Sequence, residues 1–91
     1  MTVKFFATYR QLTKCKEADV PLQPDIWALM NYLGMRYGDA VRKKLFDEVG
    51  ADIGSDAIIL VNGRNIRYLN WKDTPLSESD VVSIFPLVAG G

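Results

Sequence analysis

The sequence predicts an α+β fold in which a mixed sheet of about five strands carries a helix across one face. Three observations lead to this prediction: alternating apolar residues near the start of the chain, an apolar stripe at helical spacing, and two strand-like apolar runs in the second half. The predicted order is strand, strand, helix, strand, short strand, strand. We predict one domain over residues 1–91, because a chain of 91 residues has room for a single core.

The first strand is predicted over Thr2 to Thr8, where side chains alternate between two faces. Phe5 and Phe6 therefore fall on opposite faces, and only one of them can lie under the helix. After a break in the pattern, Ala18 to Leu22 resume the alternation and predict a second strand. Pro21 places that strand at an edge of the sheet, because proline donates no backbone hydrogen bond.

The main helix is predicted to begin after Asp25, whose carboxylate can accept from the free amides of a first helical turn. It continues to Tyr37 and stops at Gly38. Its apolar stripe consists of Ile26, Leu29, Met30, Leu33 and Tyr37. A second helical stretch is predicted to be capped by Asp39 and to end near Gly50. The apolar positions of this stretch are Val41, Leu45, Phe46 and Val49.

The third strand is predicted at Ala57–Val61, a compact run rich in β-branched residues. Asn62 and Gly63 follow it and can supply the positive φ angles of a tight hairpin turn. A short returning strand is then predicted to pass through Asn65 and Ile66.

Residues 67–79 follow no regular pattern, and the last strand is predicted at Val81 to Phe85. Pro86 is predicted to end this strand because it cannot donate to a ladder. If the first and last strands are neighbours, Phe6 and Phe85 lie side by side on the face away from the helix. They then form an exposed apolar patch suited to a partner, unless loops or arginine side chains cover them.

The composition excludes several classes of function. Eleven Lys and Arg residues balance eleven Asp and Glu residues, which gives no electrostatic case for binding nucleic acid or an anionic membrane. Histidine is absent and Cys15 is the only cysteine, so zinc sites built on Cys and His and the Ser-His or Cys-His pairs of nucleophilic catalysis are excluded. Cys15 lies in a predicted turn without an acid–base partner, which favours a structural or incidental thiol.

The location predicted from the sequence is the cytoplasm. The first residues do not have the layout of a signal peptide, and the longest apolar stretches are of strand length. We therefore expect no membrane partner.

The sequence ends on Gly90 and Gly91, directly after an apolar strand-like run. Glycine has no Cβ, so this pair can thread a narrow channel in another protein, and the carboxylate of Gly91 becomes the candidate reactive group. The simpler alternative is an ordinary terminus without chemistry. Five extended residues from Leu87 to Gly91 would span roughly 17 Å, which is long enough to enter a buried site.

Four segments together resemble the small subunit of molybdopterin synthase, within the ubiquitin-like β-grasp sulfur carriers. In chain order they are Phe5-Phe6-Ala7 with Arg10, Val61-Asn62-Gly63, Thr74-Pro75-Leu76, and the run from Asp80 to Gly91. The resemblance spans the whole chain. It departs from the usual pattern at Ser79, where a glycine is common, and at Leu87, where a second proline is common. It implies a β-grasp fold and a protein cosubstrate without catalytic residues of its own.

The resemblance also implies the chemistry of Gly91. A ubiquitin-activating-type enzyme would use ATP to adenylate its carboxylate, and persulfide sulfur from a sulfurtransferase would displace AMP to leave a thiocarboxylate. This sulfur would pass to a cyclic pterin phosphate held by the large subunit of molybdopterin synthase, and the chain itself would bind no cofactor or metal. Three alternatives stay open: a carrier for thiamine or tungsten-cofactor synthesis, a modifier conjugated to proteins through Gly91, and an inert β-grasp interaction domain.

The resemblance and the reach of the tail assign roles to the residues around Gly91. Ala89 and Gly90 would pass the constriction of a partner's channel. Leu87 and Val88 would anchor the tail through apolar contacts, or else belong to the core as the end of a final strand. The predicted partner-binding residues are Phe6, Arg10, Phe85, Pro86, Leu87 and Val88. For Arg10 the alternative is a solvated side chain at a strand end.

Overall fold

The computed structural model describes residues 1–87, which form a five-stranded mixed sheet with helices packed across one face. The strands are β1 (Thr2–Phe5), β2 (Glu17–Asp19), β3 (Ala57–Val61), β4 (Arg64–Asn65) and β5 (Val81–Pro86). The helices are α1 (Thr8–Thr13), α2 (Ile26–Tyr37) and α3 (Asp39–Leu45), with short 3₁₀ helices at Ile66–Tyr68 and Trp71–Asp73. The tail residues Val88, Ala89, Gly90 and Gly91 lie outside the described residues.

The strand order in the sheet is β2-β1-β5-β3-β4. The central strands β1 and β5 run parallel, and each of the other neighbouring pairs is antiparallel. The connection from β2 to β3 contains α2 and α3, as a helix-containing crossover requires. This arrangement confirms the predicted β-grasp architecture.

The core lies between the inner face of the sheet and the apolar stripe of α2. The helix contributes four fully buried side chains, those of Ile26, Leu29, Met30 and Leu33. Facing them from the sheet are the buried residues Val3, Phe5, Ile59, Val82 and Ile84. The Asp25 side chain accepts from the Ala28 amide at 2.8 Å, so the helix starts where the sequence predicts. Gly38, with a φ of 92°, follows its last residue, as predicted.

Because Leu33 is fully buried, Leu33→Ala should lower the free energy of unfolding by about 2–5 kcal/mol. Chemical denaturation would measure this loss. The matched control is Met35→Ala on the same helix, since Met35 is 71% exposed and the change should be within about 0.5 kcal/mol. Equal losses in the two variants would contradict this description of the core.

The first strand is shorter than predicted, and helix α1 was missed. β1 ends at Phe5, and Ala7 has a φ of 53°, so the chain turns away from the sheet before the predicted end of the strand. Tyr9 and Thr13 are both buried and share one face of α1, but a helix of six residues is too short for periodicity to decide. Arg10 consequently lies on α1, and its predicted position at a strand end was wrong.

Two boundaries before β3 also differ from the prediction. β2 ends at Asp19 rather than Leu22, although it is an edge strand as Pro21 predicted. α3 ends at Leu45, because Phe46 is extended and forms an isolated bridge with Ile53. The helical pattern that continued to Val49 was therefore misleading, and this side chain is 83% exposed.

The structure corrects the predicted cap of α3 and the predicted end of β4, and it confirms the predicted hairpin turn. The Asp39 side chain makes no capping hydrogen bond, and Gly38 occupies the N-cap position of α3. Asn62 and Gly63 do form the hairpin turn, with φ angles of 52° and 83°. Ile66 is buried and begins a 3₁₀ helix instead of continuing β4.

Pro86 belongs to β5 and pairs with Ala57, so the prediction that it ends the strand was wrong. The amide of Leu87 points towards β3 and donates to the Asp56 carbonyl. Since successive residues of a strand alternate, the nitrogen of Pro86 points the other way, towards β1. β1 has already ended opposite Ile84, so no ladder partner is lost.

Within residues 1–87, no helix has the length and apolar character needed to cross a bilayer. The same residues contain no group of three or more cysteine or carboxylate side chains placed to hold a metal ion.

Candidate functional site

The candidate docking surface is the outer face of the sheet, on the side away from α2. Phe5 of β1 pairs with Ile84 of the parallel strand β5, so Phe6 and Phe85 follow as neighbours on the outer face. Their rings stack with centroids 4.1 Å apart and planes inclined by 8°. This confirms the prediction that the two aromatic residues lie side by side if the first and last strands are neighbours.

Both rings are half-buried, and an arginine lies over one of them. The guanidinium carbon of Arg10 is 5.6 Å from the centroid of the Phe6 ring, within the range of a cation–π contact. The Arg10 Nε also donates to the Phe5 carbonyl at 3.2 Å. Each of the two interpretations of this patch therefore holds in part, because both rings are partly accessible and Arg10 lies over that of Phe6.

Two aliphatic residues of β3 extend the same face. Ile58 pairs with Phe85 and Leu60 pairs with Ser83, and both side chains are half-buried. We name the group of Phe6, Ile58, Leu60 and Phe85 the outer patch. Single exposed apolar residues are ordinary, but a contiguous group on one sheet face is suited to a partner.

The tail leaves the sheet beside the aromatic pair, since Leu87 follows Phe85 by two residues. The Leu87 amide donates to the Asp56 carbonyl at 3.3 Å, which ties the start of the tail to the segment before β3. The Leu87 side chain is 56% exposed. The alternative that Leu87 is a core residue was therefore wrong, and its side chain stays accessible to a partner.

A shallow groove lies next to the start of the tail. Its lining includes Ile58, Asn65, Arg67, Trp71 and Leu87. The Trp71 Nε1 donates to Asp52 at 2.8 Å, and this hydrogen bond is the main reason that the pKa of the Asp52 carboxyl is lowered. The groove is continuous with the outer patch through Ile58.

The family is decided by a match over almost the whole chain, since the model of the ThiS family matches residues 3–91. The chain belongs to the ThiS family. Members of this family are ubiquitin-like sulfur carriers, and carriers of this type are generally non-catalytic.

Relatives of this ThiS-family protein include two that are named small archaeal modifier proteins. Small archaeal modifier protein 3 of Haloferax volcanii is 29% identical over 93 residues, which cover 100% of this chain and 98% of the relative. The solution structure of small archaeal modifier protein 1 from Methanosarcina acetivorans superposes with a TM-score of 0.84 at 31% identity. That comparison covers 99% of this chain and 94% of the archaeal one.

A further similar structure is that of a protein from Pyrococcus furiosus. A Pyrococcus furiosus protein assigned as molybdopterin converting factor, subunit 1, superposes with a TM-score of 0.74 at 30% identity, covering 96% of this chain and 95% of that one. The ThiS-family membership confirms the resemblance found in the sequence. The family includes both sulfur carriers and modifiers.

Sequence reasoning missed Trp71 and Tyr9 of this ThiS-family protein. Trp71 lines the groove at a φ of 52°, an unusual angle for a bulky residue that no local sequence signal announces. Tyr9 is fully buried beneath the start of the tail, and its only sequence signal is the spacing to Thr13. The remaining tail residues of the predicted site, Val88, Ala89, Gly90 and Gly91, lie beyond the described residues.

Cys15 is half-buried and its sulfur lies 3.8 Å from the hydroxyl oxygen of Tyr37. Burial, with a contribution from this contact, raises the pKa of Tyr37 above its ordinary value. The Tyr37 ring packs edge-on against Phe5, so Cys15 sits at the margin of the core. A structural or incidental thiol remains our interpretation.

Proposed function

We propose that this ThiS-family protein carries sulfur as a thiocarboxylate at Gly91 and delivers it to a cyclic pterin phosphate in molybdopterin synthesis. The observation that carries the proposal is the family match, which extends through Gly91. The similarity to a protein assigned as subunit 1 of molybdopterin converting factor supports the choice of pathway.

The proposed chemistry needs activation first, because a nucleophile that attacks a free carboxylate would have to expel oxide. An ATP-using, ubiquitin-activating-type enzyme adenylates the Gly91 carboxylate, so that AMP becomes the leaving group. The terminal sulfur of a sulfurtransferase persulfide displaces AMP, and a second thiol cleaves the resulting S–S bond to leave the thiocarboxylate. The chain contains no histidine, the commonest general acid–base residue, and we assign the acid–base groups of the later sulfur transfer to the large synthase subunit.

The outer patch is the proposed docking surface for that large subunit. Phe6 and Phe85 present accessible aromatic area, Arg10 lies over the Phe6 ring, and Leu87 projects beside them at the start of the tail. Phenylalanine and arginine side chains are enriched at protein interfaces relative to the rest of the protein surface. A partner that covers this patch receives the tail at its edge, with Pro86, Leu87 and Val88 as apolar anchors and Ala89 and Gly90 in the channel.

An intact-mass measurement tests the proposal. The protein is purified under non-reducing conditions from cells that contain its natural activating enzyme. We expect a mass gain equal to the exchange of one oxygen for sulfur, located in the tail peptide. Addition of the large subunit and a cyclic pterin phosphate should then return the mass to that of the carboxylate. An unmodified mass in the presence of a competent activating enzyme would overturn the carrier function.

A ubiquitin-like modifier is the second candidate, and the modifier proteins among the relatives favour it. Both functions begin with the same adenylate. They diverge when a lysine amine of a target protein, instead of a persulfide, attacks Gly91. A ladder of larger masses that correspond to target-linked forms would support conjugation, and its absence alongside the thiocarboxylate would support the carrier.

A further inference from the structure

We propose that Tyr9 is a positioning residue that fixes the direction in which the tail leaves the sheet. This proposal rests on the proposed function, because the direction of the tail matters only if its end enters a partner's site.

The Tyr9 hydroxyl donates to two backbone carbonyls that are remote from it in sequence. Its oxygen lies 2.9 Å from the Asp56 carbonyl oxygen and 3.0 Å from the Lys44 carbonyl oxygen, so its one proton is shared between them. The same Asp56 carbonyl accepts the Leu87 amide at 3.3 Å. One oxygen therefore holds both the buried tyrosine and the start of the tail.

Side chains reinforce this junction. The Lys44 ammonium pairs with the Asp56 carboxylate, and it lies 5.8 Å from the centroid of the Tyr9 ring. We name Tyr9, Lys44 and Asp56 the tail brace. It joins α1, the end of α3 and the segment before β3 at the point where β5 ends.

Within the tail brace, the interactions of Tyr9 are the ones that solvent weakens least. The Lys44 and Asp56 side chains are 30% and 40% exposed, and ion pairs at such positions contribute little. Tyr9 is fully buried, and this burial, followed by the Asp56 charge, raises the pKa of its hydroxyl. The hydroxyl therefore keeps its proton at neutral and moderately alkaline pH and stays a donor.

The direction of the tail has to be set at its base. The residues that follow Leu87 are Val88, Ala89, Gly90 and Gly91, and none of them has a side chain that can form a hydrogen bond. Because reacting groups must be placed to within about 1 Å, a change of direction at Leu87 is magnified at the carboxylate. By fixing the Asp56 carbonyl, Tyr9 restricts this direction and raises the fraction of productive encounters.

Tyr9→Phe tests the proposal, since it removes the hydroxyl and keeps the buried ring. Two quantities are measured: the hydrogen exchange of the Leu87 amide relative to amides of β3, and kcat/KM for adenylation by the natural activating enzyme. We expect exchange at Leu87 to accelerate, and kcat/KM to fall, each by about fivefold, the factor expected for one ordinary hydrogen bond. The matched control is Tyr37→Phe, whose hydroxyl contacts the Cys15 sulfur at 3.8 Å, and both quantities should stay unchanged.

Unchanged exchange at Leu87 in Tyr9→Phe would overturn the proposal, and so would faster exchange with an unchanged kcat/KM. Equal effects of Tyr9→Phe and Tyr37→Phe would overturn it as well, because they would show a general loss of stability. If the unaltered protein is not adenylated at all, the proposed function fails and the positioning role fails with it. The exchange measurement separates this case, because it detects the tail brace without any partner.

Discussion

Deletion of Gly91 will abolish thiocarboxylate formation while leaving the melting temperature nearly unchanged. The deletion moves the terminal carboxylate back by one residue, or about 3.3–3.6 Å along an extended tail. An error of about 1 Å in the placement of a reacting group can already cost on the order of a hundredfold in rate. The buried core is built from residues between Met1 and Ile84, so the deletion removes no core contact among the described residues.

Intact mass and adenylate formation measure the chemical effect of the deletion, and differential scanning calorimetry measures the melting temperature. Gly91→Ala is a useful companion, because it keeps the length of the tail and its carboxylate while adding one methyl group. A bulky residue in Gly90→Trp should block entry into the channel without altering the length. Sulfur transfer by the deleted form at the normal rate would eliminate the carrier function.

The elements with local causes were predictable from the sequence. Asp25 caps α2 because its own side chain reaches the Ala28 amide, and Asn62-Gly63 turns because these residues tolerate positive φ. Helix α1 has a different origin. It begins after Ala7 at a φ of 53°, an angle that alanine does not favour by itself and that the surrounding fold imposes.

The end of α3 is likewise set by the surrounding fold and not by the local sequence. Helical spacing continued to Val49, but Phe46 leaves the helix to form a bridge with Ile53. Tertiary contacts therefore override a pattern that local propensity supports. The local sequence pattern does not show whether helical propensity or a tertiary contact will prevail at Phe46.

The candidate site also has features that the sequence predicts and features that it does not. The adjacency of Phe6 and Phe85 was predictable, because it follows from side-chain alternation once β1 and β5 are neighbours. The hydrogen bonds of Tyr9 were not predictable, since their acceptors lie 35 and 47 residues away in the chain. Only the folded chain brings these carbonyls to the start of the tail.

Phe85→Asp is expected to weaken binding to the large synthase subunit by about thirtyfold or more, the loss typical of an interface hot spot. The substitution removes the aromatic ring from the outer patch and would place a carboxylate in an apolar contact, where an unpaired charge is costly. Phe6→Asp should act in the same direction, because the two rings stack on each other. Isothermal titration calorimetry with the isolated large subunit measures the affinity.

Met35→Asp is the matched control for this prediction, since Met35 is an exposed apolar residue on α2, on the other side of the sheet. It should leave the affinity unchanged. Circular dichroism and thermal melting confirm that each variant is folded, which is expected because Phe6 and Phe85 are only half-buried. Unchanged affinity in folded Phe6→Asp and Phe85→Asp variants would remove the outer patch as a docking surface.

The contributions of the tail and of the outer patch can be measured separately by mixing each variant with the intact protein. Loss of Gly91 and loss of the outer patch should have opposite effects on sulfur delivery in such mixtures. The form without Gly91 keeps the outer patch, so it should occupy the large subunit and inhibit sulfur delivery by the intact protein. Phe85→Asp keeps the tail but loses the docking surface, so the same concentration should inhibit weakly or not at all. If both variants inhibited equally, binding would depend on a surface other than the outer patch, whereas inhibition by neither would place most of the affinity in Gly91 itself.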